Sequence, residues 1–142
     1  MRNILLPFDG SEPAKRAIHY LGRLVEDYPQ LQVHVLNVQS PVKIYGDYVP
    51  SDMLERMREG AMAHARGIID EASALLGDCG IRFDTHAVFG EVVHEIVQAV
   101  KAYGCDTVVM GTRGMSNLGN LLMGSVATRV VHESPVPVLL VK

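Results

Sequence analysis

Five short strand-like segments alternate along this chain with four stretches that read as helix, and that alternation restricts the fold more than any other feature. Ile4-Leu5-Leu6 is almost continuously apolar, as a strand covered on both faces should be. Ser11 can cap the helix that follows, and Pro13 suits its first turn, where the missing N–H costs nothing. Ala14, Ala17, Ile18, Leu21 and Val25 then recur at helical spacing. Val33 to Val38 reads as a second strand. Ser40 to Ser51, rich in Pro, Gly, Tyr and Asp, has no clear period, and loops of this length in compact domains are often functional.

A long helix comes next, with Leu54, Met57, Ala61, Ala65, Ile68, Ala72 and Leu75 forming one apolar stripe. The methionines at 53, 57 and 62 fit core or interface packing better than a cofactor box. Gly77 to Gly80 stops the helix, and Ile81 to Val88 reads as a third strand. Gly90-Glu91 opens a helix through Val93, Ile96, Val97 and Val100. Asp106 to Met110 is the fourth strand. A last helix, starting at Gly124-Ser125, ends at Ser134-Pro135, and Val136 to Val141 is the fifth strand. Strand and helix alternating in this way predict an α/β fold, an open, doubly wound and mostly parallel sheet with helices on both faces and right-handed crossovers. The 142 residues fit a single domain over 1–142.

Composition narrows the function. A net charge of −3 argues against a broad nucleic-acid or acidic-membrane surface. No apolar run approaches the roughly eighteen residues of a membrane span. The opening Met1 to Pro7 reads as a strand start, with too short an apolar run for a signal peptide. Cys79 and Cys105 belong to no C-x-x-C pair and fit reduced thiols in a reducing compartment. These features predict a cytoplasmic protein with no nucleic-acid or membrane partner.

The stretch after the fourth strand carries the chemistry. Gly111-Thr112-Arg113-Gly114 is followed by nine residues and then Gly124-Ser125. A strand that runs through a glycine-punctuated loop into a helix start can cradle phosphate, because glycine admits close approach or positive φ and the first helix amides point outward. Arg113 adds a cation. The loop is not a Walker A motif, since no Gly-Lys-Ser/Thr follows, and it is not G-x-G-x-x-G. A turn with no ligand is the plain alternative for Gly111 and Gly114 alone; the second pair at Gly124-Ser125 tips the balance. In open parallel sheets ligands sit beyond the carboxyl ends of the strands, at the switch in strand order. If the first and fourth strands are neighbours there, Pro7-Phe8-Asp9-Gly10-Ser11 faces the glycine loop. Asp9 could be an ordinary turn residue, but Ser11 is available as the cap, which leaves Asp9 for a ligand.

Taken together, these motifs resemble the universal stress proteins. Gly111, Gly114, Gly124 and Ser125 fit that family's G-x-x-G, nine residues, G-S signature with no insertion. Ile4 to Ser11 is similar to its first strand and acidic turn, and Ser134 to Val141 to its last helix stop and final strand. The resemblance covers the whole chain in order. It implies the strand order 3-2-1-4-5 of the adenine nucleotide alpha hydrolase-like fold, and adenine-nucleotide binding. It places the adenosine part against Asp9, with Pro7 beside it, and Val38, and counts Met110 among the nucleotide-binding residues. The phosphates fall to Gly111, Arg113, Gly114, Gly124 and Ser125 and to the amides of Val126 and Ala127. ATP, ADP or AMP would be the ligand, with Mg2+ carried on the phosphates. The family often has a hydroxyl residue where this chain has Ala127, so one side-chain contact to phosphate is missing. The resemblance also implies a homodimer through the edge strand Val136 to Val141, whose alternative is an edge left short or covered by a helix. Pro137, near the strand start, removes only one donor.

Other chemistries fit less well. His94-Glu95 begins like H-E-x-x-H, but Gln98 stands where the second His belongs, and His19, His34, His64, His86 and His132 lack ligand spacing. No G-x-S-x-G elbow is present. An adenylating enzyme of the ATP-pyrophosphatase type would need more glycines after the first strand. A phospho-accepting receiver would need clustered acids there and an Asp after the third strand. The expected function is therefore a nucleotide-binding stress-response protein, with at most slow hydrolysis because no P-loop lysine stabilises transferred charge. The nearest alternative is the same fold acting as a dimeric interaction protein without nucleotide.

Overall fold

In the computed structural model, which describes residues 1–40, 49–112 and 124–142, the alternating runs pair into one five-stranded sheet. In chain order the elements are β1 (Asn3–Pro7), α1 (Glu12–Leu24), β2 (Gln32–Gln39), α2 (Ser51–Asp78), β3 (Arg82–Phe89), α3 (Val92–Ala102), β4 (Thr107–Gly111), α4 (Ser125–Glu133) and β5 (Val138–Val141). The strand order is β3-β2-β1-β4-β5 and every adjacent pair is parallel. The expected 3-2-1-4-5 doubly wound topology is what the chain adopts.

The unbroken apolar runs follow from burial on both faces. Ile4 and Leu6 of β1, Val33 and Val35 of β2, and Val109 of β4 pack beneath α1 and α2, against Ala14, Ile18, Leu21, Ala72 and Leu76. The intervening Leu5, Leu36, Val108 and Met110 pack beneath α3 and α4, against Val93, Ile96, Val100, Ala127 and Val130. Successive strand residues point to opposite faces, so a strand with helices on both sides has no polar positions to spare. Ser11 caps α1 as expected, its Oγ accepting the Ala14 amide at 3.3 Å.

Two elements depart from the sequence reading. The apolar stripe of α2 is buried only in its second half, where Ala65, Ile69, Ala72 and Leu76 are covered and Ile68 and Leu75 lie at the margin. Leu54, expected in the stripe, is 52% exposed, and so is Met53. The reason is length. The 28 residues of α2 span about 42 Å, whereas an eight-residue strand such as β3 spans about 26 Å. Arg58 already lies level with the end of β3, its guanidinium 5.7 Å from the Phe89 ring, so the turns before it overhang the sheet. The second departure is β5, which begins at Val138 rather than Val136. Pro137 contributes its carbonyl to Val108 N–H (2.9 Å) but has no donor to return.

The lower ends of β1 and β4 are joined by Asp106, whose carboxylate accepts the amides of Arg2 (2.8 Å) and Asn3 (3.1 Å) and the Thr107 hydroxyl (2.8 Å). Partial burial pushes this carboxyl up, but the Asn3 and Arg2 amides, the Thr107 hydroxyl and the N-terminal charge outweigh it and hold it below its ordinary 3.8. A carboxyl depressed by folding adds stability above its unfolded value, and that stability is lost as pH falls through the folded value. Asp106→Asn should therefore melt lower than wild type at pH 7, with the gap closing in melts run at about pH 3 and below. A gap that persists unchanged at the acid end would show that the contribution is not the carboxylate's charge.

Candidate functional site

Beyond the carboxyl ends of β1 and β4 the chain leaves in opposite directions: β1 leads to α1 on one face and β4 towards α4 on the other. The divergence opens a cavity of about 250 Å³ at the switch in strand order. Nine of the residues expected at the site line it: Pro7, Asp9, Val38, Met110, Gly111, Gly124, Ser125, Val126 and Ala127. Arg113 and Gly114 lie outside the described residues. The loop from Ser40 to Ser51 is likewise described only at Ser40 and from Val49 onward. Val92 and Ile96 of α3 complete an apolar wall with Leu36 and Met110.

The turn after β1 forms one side. Asp9 is exposed and its Oδ1 accepts the Ser11 amide at 3.0 Å, so one carboxylate oxygen serves the turn, the plain alternative for this residue, while Asp9 also lines the cavity. Gly10 follows at φ +82°, a left-handed conformation that favours glycine.

The end of β2 forms the back. Along β2 the even-numbered residues direct their main-chain groups to β1: Gln32 N–H donates to the Arg2 carbonyl (2.8 Å) and the Leu36 carbonyl accepts from Phe8 N–H (2.9 Å). Odd-numbered residues turn to β3, as the Gln39 carbonyl does in accepting from Gly90 N–H (2.9 Å). Val38 therefore faces β1 at a level where β1 has ended. The next acceptor on that ladder is the Phe8 carbonyl, and it takes the Asn37 side-chain amide instead, at 2.8 Å. Among the described residues no bond joins Val38 N–H to that carbonyl, so a main-chain donor and acceptor border the cavity side by side.

The N-terminus of α4 forms the third side. Its cap is Gly124, at φ −70° and ψ 162°, with no side chain to accept from the first turn. Among the described residues the first amide of this turn to reach an acceptor is that of Thr128, bonded to the Gly124 carbonyl at 3.0 Å, which leaves the amides of Ser125, Val126 and Ala127 at the helix start. The other short helices differ: Ser11 caps α1, and Glu91 caps α3 by accepting the His94 amide at 2.7 Å. That amide holds the Glu91 carboxyl below its ordinary range against the opposing effect of burial, and Arg129 of α4, at 2.9 Å, adds to it. Gly124 N–H donates to the Thr112 carbonyl at 2.7 Å, and Thr112 N–H donates to the Val141 carbonyl of β5 at 3.0 Å.

The fold agrees with the comparisons to known proteins. The universal stress protein family model matches residues 1–142. The chain belongs to that family. A Thermus aquaticus protein described as a universal stress protein is 34% identical over 141 residues, covering 99% of this chain and 98% of that one. Among solved structures, that of MJ0577 from Methanocaldococcus jannaschii superposes with a TM-score of 0.87 at 28% identity, covering 99% and 95% of the two chains. An Arabidopsis thaliana family member solved with AMP bound shares the fold, with a TM-score of 0.68 at 18% identity over 100% of this chain and 92% of that one.

Within the family frame, Gly111 has a reason that the motif did not disclose. Neither Gly111 nor Gly124 uses a left-handed conformation, which the described glycines reserve for 10, 80 and 104. At Gly111 a Cβ would stand 2.6 Å from the Pro13 carbonyl carbon and 2.8 Å from its oxygen, so glycine is there to let the end of β4 pass the entry of α1. Ala127, the departure from the family's hydroxyl residue, is buried at 2% exposure, and the hydroxyl nearby in sequence, on Thr128, is bonded to the Gly124 carbonyl at 3.0 Å. Among the described residues no three His, Cys, Asp or Glu side chains come together to hold a metal ion. The sequence reading missed Asn37, Thr112 and the α3 wall. Asn37 had a signal: the buried alternation of Val33 and Val35 continues onto an amide, and buried polar groups are kept for their hydrogen bonds.

Proposed function

We propose that this chain binds an adenine nucleotide, ATP, ADP or AMP, in the cavity between β1, β2 and α4, and serves as a stress-response binding protein whose conformation or partners the nucleotide sets. One observation carries the reading: a main-chain donor and acceptor at Val38 and the first-turn amides of the helix start at Gly124, none of them bonded among the described residues, open into the same cavity. Val38 N–H and C=O match the ring nitrogen and amino group that adenine presents side by side, and Pro7, Leu36, Met110 and Ile96 supply flat apolar contact for the base. The second oxygen of Asp9 suits a ribose hydroxyl. The amides of Ser125, Val126 and Ala127, with the Ser125 hydroxyl, suit the phosphates, because orphan amides and the helix dipole both favour an anion there. Gly111 borders this end, and the sequence adds Arg113 and Gly114 to it.

The cavity of about 250 Å³ is slightly smaller than the roughly 300 Å³ at which pockets for drug-sized ligands begin, which suits a base and ribose within and phosphates at the mouth. The Arabidopsis relative with AMP bound supports the choice of nucleotide. Magnesium would be carried by the phosphates, where it neutralises charge. With no P-loop lysine in the sequence, hydrolysis is slow at most, and the role is binding rather than dedicated catalysis. The edge strand β5 offers a pairing surface for a homodimer, and the reduced-thiol composition suits the cytoplasm.

Mass spectrometry of protein purified without added nucleotide should find an adenine nucleotide carried through, and titration calorimetry on the stripped protein should give saturable binding. Absence of any binding at about 1 mM nucleotide, where even roughly 4 kcal/mol of affinity would register, would remove this reading.

A further inference from the structure

We infer that Asn37 is a positioning residue for base recognition: by capping the Phe8 carbonyl it holds the Val38 main chain out of the sheet and available to the ligand. The inference rests on the nucleotide reading above. In a parallel ladder the bond after Phe8 N–H to the Leu36 carbonyl would run from Val38 N–H to the Phe8 carbonyl. Asn37 intercepts it, its Nδ2 donating to that carbonyl at 2.8 Å from a position only 2% exposed. The ladder stops one bond early for a chemical reason rather than for want of chain.

A buried amide can do this reliably only if it cannot flip, since a reversed side chain would present its oxygen to the carbonyl. Gln39 prevents the reversal, because its Nε2 donates to Asn37 Oδ1 at 2.7 Å. The order of the chain is thus Gln39 to Asn37 to the Phe8 carbonyl. The Phe8 amide is held by Leu36 at 2.9 Å, so both faces of this residue are fixed and the Asp9 turn begins from a set position. Asn37 touches the cavity, but its two hydrogen bonds are spent inside the protein, and it acts through Val38 and Phe8.

Asn37→Leu tests this, since leucine suits the apolar face already occupied by Val33 and Val35 and cannot donate. Hydrogen exchange at the Val38 amide in the nucleotide-free protein should be slowed at least about tenfold in the variant, because the released Phe8 carbonyl pairs with it. AMP should bind about tenfold or more weakly by calorimetry, the loss expected for one forfeited hydrogen bond. The preference for AMP over IMP, whose base reverses donor and acceptor at those two positions, should narrow. Unchanged Val38 exchange in a folded Asn37→Leu protein overturns the positioning role whatever the nucleotide does. Wild-type protein that binds no AMP overturns the base-reading role through the site itself, a failure that the exchange result tells apart. Should Asn37→Leu not fold, Gln39→Leu at the half-buried neighbour removes only the bond that orients Asn37. It should shift exchange and affinity in the same directions by less, and no shift in either overturns the inference.

Discussion

Gly111→Ala is expected to destabilise the fold by about 3 kcal/mol, the upper part of the range for overpacking a tight site, and to lower the melting temperature by roughly 10 °C for a chain of this size. The added methyl would meet backbone, at 2.6 Å from the Pro13 carbonyl carbon and 2.6 Å from its Cβ. Neither side can yield cheaply. Gly111 pairs with Val141 of β5, and the next residue donates to the Val141 carbonyl at 3.0 Å. Pro13 sits in the first turn of α1, whose entry is fixed by the Ser11 cap at 3.3 Å and by the Asp9 turn at 3.0 Å. Relief therefore means moving the start of α1 and the Asp9 turn, one wall of the cavity, so nucleotide affinity should fall with stability. Urea denaturation with the wild-type slope and a lower midpoint would show it. A midpoint within error of wild type would mean that Gly111 is held open by the ligand's needs rather than by Pro13.

That result bears on how far the sequence could be read. The order of nine elements was legible because the central strands β1, β2 and β4 are covered on both faces and so read as largely apolar runs, and because Ser11, Gly80 and Ser134 punctuate the helices as local chemistry requires. The cavity was legible from the switch between β1 and β4, which follows once the strand order is known. What stayed hidden depends on register. That Val38 faces β1 rather than β3, that β1 ends one bond short, and that Asn37 makes up the difference all follow from which residue pairs with which. A motif marks a glycine without saying what it avoids, and the neighbour that Gly111 avoids is almost a hundred positions earlier in the chain. The stripe of α2 misled for a related reason: periodicity reports which face of a helix is apolar, not how far the sheet beneath it extends.

Ser125→Glu should separate the fold from the site, because its two effects have opposite signs. Ser125 is the first residue of α4, exposed, behind a glycine cap that offers the helix no acceptor. A carboxylate there meets the positive end of the helix and first-turn amides that make no bond among the described residues, which should raise stability by roughly 0.3–1 kcal/mol at low salt. The same amides are the proposed phosphate donors. A resident negative charge both occupies them and repels the ligand, at about 4 kcal/mol for unit charges 4 Å apart in a surface-like dielectric; with solvent and salt screening, ATP affinity should fall on the order of 100-fold. ATP, with more phosphate charge, should lose more than AMP, and added salt should narrow the difference between them. Thermal melts and calorimetry on one preparation read both signs. A variant that is more stable and binds poorly places the phosphates at the start of α4, whereas a more stable variant with wild-type affinity for ATP moves them elsewhere.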